Sequence, residues 1–116
     1  MNLDFLKNSG MSDKFINLII DTFVTDSTIM LQHLKDLHNN ENNDDNNNDL
    51  IFRAAHKLKS SCEIFDIRQI VNKCVGLEKY ISENKEFDDS YIKFELSDII
   101  GYLENALNEI ENLKNN

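Results

Sequence analysis

The chain has 116 residues, 41% hydrophobic and 28% charged, with a formal net charge of -9 at pH 7; this length supports one core, and this charge makes nucleic acid and anionic membranes poor partners. The absence of proline and a count of only three glycines leave too few turn formers for a β-rich fold. No apolar run reaches the roughly 18 residues of a membrane span and no basic-then-apolar start marks a signal peptide, so a cytosolic, acidic, helical domain spanning 1–116 is expected.

Leu3 to Lys7 suits a helical turn that ends near Gly10 and plugs one end of a bundle. Helical periodicity then runs from about Ser12 to His38, with Phe15, Ile19, Phe23, Met30, Leu34 and Leu37 at mostly three- and four-residue steps. Ser12 before Asp13 suits an N-cap with an acidic first turn. Residues 39–48 are only Asn, Asp and Glu. Nothing in that run can be buried cheaply, so a flexible loop is expected there. Asp49 then caps a helix over about Leu50–Phe65. The next helix covers about Ile67–Asn84, on a stripe of Ile67, Ile70, Val71, Cys74, Leu77 and Ile81. The last covers about Asp88–Lys114, where Ile92, Leu96, Ile99, Leu103, Ala106, Ile110 and Leu113 alternate steps of four and three. Four amphipathic helices with mostly short connections predict an all-α fold, an antiparallel four-helix bundle with a short extra N-terminal helix.

The metal and disulfide chemistries find no support. Cys62 and Cys74 are the only cysteines, too few for a disulfide framework or a zinc site, and they read as small reduced core residues. His33 and His38 stand about 500° apart around a helix and point to nearly opposite sides. No metal site is expected.

The segment 50–65 is more informative. With His56 set at 0°, Ala54, Ala55, Leu58, Cys62 and Phe65 fall between about 160° and 260°, so the buried face centres near 200° and His56 faces water. Arg53, Lys57 and Lys59 lie within four positions of it, three of the chain's twelve basic residues. Phe52 lies one turn before the histidine and away from the core, an aromatic suited to docking. A neutral imidazole near its ordinary pKa is nucleophilic at cellular pH. Lys59, one turn on, is placed to offset the charge of a phosphoryl group, and the small Ser60 lets a partner approach. Ser-His-Asp catalysis would need a cleft, a buried orienting carboxylate and an oxyanion hole, none of which the sequence signals.

At these residues the chain resembles a histidine phosphotransfer (HPt) domain. Ala55-His56-Lys57-Leu58-Lys59-Ser60-Ser61-Cys62 is similar to the family pattern Ala-His-x-Leu-Lys-Gly-Ser-(small), and Ile70, Cys74 and Leu77-Glu78 match its next helix. Phe15-Ile16, Phe23, Asp26 and Leu31-Leu34 fit the spacing of the N-terminal half. Two positions depart, Ser60 and Asp66, each standing where the family usually has glycine. Ser60 puts transfer rate in question more than phosphorylation itself, and Asp66 suits the left-handed geometry of a helix end.

The resemblance implies a phosphorelay intermediate. His56 would take a phosphoryl group from the phospho-aspartate of one receiver domain and pass it to another, with no enzymatic activity of its own. Its partners would be receivers of a hybrid histidine kinase and of response regulators. It would carry no cofactor, magnesium belonging to the receiver. Glu78 is a candidate to hold one ring nitrogen of His56, against the alternative of a solvated glutamate pairing with Lys73 or Lys79. Arg53, Lys57 and Glu63 join Phe52 as candidate partner contacts. The competing function is a four-helix adaptor that docks receivers or other proteins without being phosphorylated. A monomer is expected, and Met1 favours a free-standing start.

Overall fold

A computed structural model describes residues 3–40, 45–84 and 86–114. Among these residues five helices follow in order: α1 (Asp4–Lys7), α2 (Asp13–Asn39), α3 (Asp45–Ile64), α4 (Arg68–Glu83) and α5 (Asp89–Lys114). The four long helices form the expected bundle, about 48 Å along its longest axis. α2 packs on α3 and α5, and α4 closes the ring between α3 and α5. The short α1 lies against α2 and sends Leu6 into the core, the plugging task its sequence suggested.

The caps follow ordinary chemistry. Ser12 Oγ accepts from Phe15 N at 3.3 Å, and Asp88 Oδ1 accepts from Ser90 N and Tyr91 N at the start of α5. α3 ends in a Schellman motif: Ile67 N donates to Cys62 O at 3.1 Å and Asp66 N to Glu63 O at 3.2 Å. Asp66 occupies the left-handed position with φ 53°, so it takes the conformation for which glycine is usual. Its carboxylate meets Arg68 Nε at 2.7 Å across an exposed surface.

Several sequence expectations need correction. Asp45–Asn48 are helical rather than loop, and Asp49 lies inside α3, paired with Arg53 at 3.1 Å, instead of capping it. Asn47 and Asn48 are buried, at 1% and 3% exposure. Burial is tolerable at Asn47 because its Oδ1 accepts from Asn40 Nδ2 at 2.9 Å, joining the end of α2 to the start of α3. The rest of the expected loop, 41–44, lies outside the described residues. On α2, Phe15 is exposed and the adjacent Ile16 is buried instead. Leu113, the last residue of the α5 stripe, is exposed because it lies in that helix's final turn.

The core is otherwise the one the stripes marked, with Leu58, Ile70, Leu77, Leu96, Ile99 and Leu103 nearly inaccessible. Lys73 Nζ lies 3.0 Å from both Glu95 and Asp98, tying α4 to α5. The hydrogen bonds to these two carboxylates hold its ammonium above the ordinary lysine range.

Cys62 and Cys74 are free and fully buried. Burial pushes both thiols from 9.0 up to about 12. As pH rises from about 9 towards about 12, the unfolded chain sheds these protons before the folded one, so stability falls through that window. Urea melts at about pH 8 and about pH 10.5 should show this loss, and it should shrink in the Cys62→Ala/Cys74→Ala double variant, with tyrosine ionisation common to both proteins. Asp66→Gly should raise stability by about 1 kcal/mol, since it relieves a left-handed side-chain residue and gives up only an exposed ion pair. The same urea melts measure it.

Candidate functional site

The turn of α3 carries His56 to the surface. Ala54, Ala55, Leu58 and Cys62 are buried on one face, and the histidine on the opposite face is 62% exposed. α4 runs alongside, and its own buried stripe of Ile70, Val71, Cys74 and Leu77 places Glu78 at the seam between the two helices.

Glu78 is only 14% exposed and faces two groups. Its Oε2 accepts from Lys59 Nζ at 3.1 Å. Its Oε1 stands 3.4 Å from His56 Nδ1, with no hydrogen bond formed between them. That oxygen is buried and accepts no hydrogen bond from the described residues. A buried acceptor without a donor costs about 1–3 kcal/mol, so a small approach of the imidazole N–H toward it is favourable. A proton on Nδ1 would face this oxygen and would leave the Nε2 lone pair on the far side of the ring.

The solvated alternative for Glu78 is therefore not what the structure has. Lys73 is engaged by α5, and Lys59, which the sequence placed free beside the histidine, is the residue that pairs with Glu78. Lys59 is 21% exposed, its stem lying along the seam.

Ser60 is exposed, and its hydroxyl donates back to His56 O at 3.3 Å, so it presents little bulk beside the ring. Phe52 is half-buried, less open than its angle suggested, and its ring lies nearly parallel to the imidazole with centroids 6.5 Å apart. Arg53, Lys57 and Glu63 are exposed on the same helix.

The Hpt domain family model matches residues 18–113. The chain belongs to the Hpt domain family. Comparison with curated proteins found no match, and neither did comparison with solved structures. Hpt domains carry phosphoryl groups on histidine in phosphorelays and interact with receiver domains of two-component systems, as carriers rather than catalysts. No described helix of this Hpt domain is long and apolar enough to cross a membrane.

One feature beside the histidine escaped the sequence reading. Between α2 and α3 runs a groove of about 280 Å³, floored by Phe23 and Phe65 and rimmed by exposed Phe15, Leu18 and Ile64. Ser61 on its wall is five residues beyond His56, about 7.5 Å along the helix axis. Phe15 and Leu18 are apolar at helical spacing on the face away from the α2 core, and that was the signal available. The assignment of Phe15 to the core hid it.

The tautomer is open to direct measurement. At about pH 9, above the ordinary imidazole range, long-range proton–nitrogen spectra should place the His56 proton on Nδ1. Glu78→Ala should shift the population toward the Nε2–H form.

Proposed function

We propose that His56 is the phospho-accepting residue, that residues 1–116 act as one phosphotransfer unit, and that the unit relays between receivers. It takes the group from the phospho-aspartate of one receiver, such as that of a hybrid histidine kinase. It passes the group to the aspartate of a response regulator. The observation that carries this reading is a largely open imidazole whose Nδ1 faces a half-buried carboxylate at 3.4 Å.

In this reading Nε2 attacks phosphorus and forms the N–P bond. The P–O bond to the aspartate breaks, and its electron pair leaves with the aspartate carboxylate. The ring keeps its proton on Nδ1 and becomes positively charged, and Glu78 offsets that charge. Transfer onward is the same step in reverse with a second receiver. Lys59 swings from Glu78 toward the phosphoryl oxygens as Glu78 turns to the charged ring. Ser60 leaves room for the partner's active site, and magnesium belongs to that partner. The domain itself contributes positioning and electrostatics. The receiver docks across the α2–α3 groove, with Phe52, Arg53, Lys57 and Glu63 meeting it around the histidine.

Incubation with a phosphorylated receiver should yield acid-labile, base-stable phosphate on the wild type and none on His56→Gln. An intact fold that takes no label from several receivers would favour the non-phosphorylated adaptor. Lys59→Ala should slow transfer about tenfold while changing stability by no more than about 1 kcal/mol, because its ion pair is partly exposed.

A further inference from the structure

The α2–α3 groove is apolar except at one point. Two of its polar wall groups are turned inward on their own helices: Thr22 Oγ1 donates to Leu18 O at 2.8 Å and Ser61 Oγ to Lys57 O at 3.4 Å. The remaining one is Asp26, the one ionisable residue among those that line the groove. It is exposed and has no hydrogen bond or ion pair among the described residues.

Its position along the groove matters. α2 and α3 run antiparallel, and the rings of Phe23 and Phe65 meet at a tilt with centroids 4.3 Å apart. Moving from Phe23 to Asp26 on α2 therefore corresponds to moving from Phe65 back toward Ser61, in the direction of His56. Asp26 thus stands at the end of the groove nearest the histidine, and Phe15 and Leu18 stand at the other end.

We infer that Asp26 is a specificity-determining residue that selects receivers presenting a lysine or arginine beside the apolar surface they lay in this groove. The inference rests on the proposed docking of receivers across the groove. An exposed carboxylate set among apolar side chains is a poor neighbour for an acidic or wholly apolar partner surface. It gains most from a cation that brings its own apolar stem. A receiver with an acidic residue there is rejected by like-charge contact, which separates partners more sharply than apolar fit alone.

The test follows transfer rate against receiver concentration, using a phosphorylated receiver that labels the wild type. Asp26→Asn should raise KM roughly three- to tenfold and Asp26→Lys further, with kcat within about twofold of wild type. Melting temperatures should be unchanged, because the side chain is exposed. Glu111→Lys, an equal charge reversal at an exposed site near the end of α5, should leave KM at the wild-type value. A basic-to-acidic substitution on the receiver's docking face should restore transfer to Asp26→Lys. Leu18→Ala separates the two layers of the argument. Raised KM in Leu18→Ala with wild-type KM in both Asp26 variants would overturn selection by Asp26 and leave groove docking standing. Unchanged KM in Leu18→Ala would overturn groove docking. A fall in kcat rather than a rise in KM at Asp26 would also overturn the inference.

Discussion

The close packing of α3 against α4 is the constraint on which the site depends. Small side chains line that seam: Ala55 and Cys62 from α3, Cys74 from α4, all nearly inaccessible. Separation between helix axes depends on the side chains at the contact, and small ones permit a short distance. The Cys74 thiol accordingly lies within electrostatic reach of Cys62, Lys59 and Glu78 together. A glutamate side chain from α4 then spans the seam and meets both Lys59 and His56 without leaving its own helix. Bulkier residues would move α4 outward and break both contacts while the bundle still formed.

The same seam divides the labour between the helices. α3 supplies the exposed groups, and α4 supplies the carboxylate behind them. Glu78 serves two partners with one charge, so Lys59 and the imidazole compete for it. In the proposed relay, a positive ring and a free ammonium are both favourable beside a bound phosphoryl group, and the half-buried carboxylate would let one form as the other is released. These three side chains are one charge cluster that the fold already holds together.

What the sequence disclosed follows from where its signals are local. The outward angle of His56 needed only the apolar residues of α3, since 3.6 residues per turn fixes the rest. The αL conformation of Asp66 came from the resemblance instead, since Asp66 stands where the family usually ends this helix with glycine. The Lys59–Glu78 pair was not readable, since it depends on the register of α4 against α3 and no pattern within either helix sets that register. Asn47 and Asn48 misled for a different reason. Their composition speaks for a loop, and a partner just beyond the end of α2, Asn40, helps to make burial of Asn47 tolerable. At Phe15 and Ile16 two adjacent apolar residues offered two phases for one helix, and packing against the rest of the bundle chose the second.

The Schellman turn at Asp66 has a consequence for how the chain tolerates changes in length. Only three residues, Phe65 to Ile67, separate α3 from α4, and their hydrogen bonds leave no slack. A single residue inserted there would rotate α4 by about 100° and carry Glu78 off the seam, while the apolar stripes re-paired in a shifted register. This junction of the histidine-bearing helix works as a gauge: it sets the angle at which α4 meets α3, so a change of even one residue there would part Glu78 from Lys59 and His56.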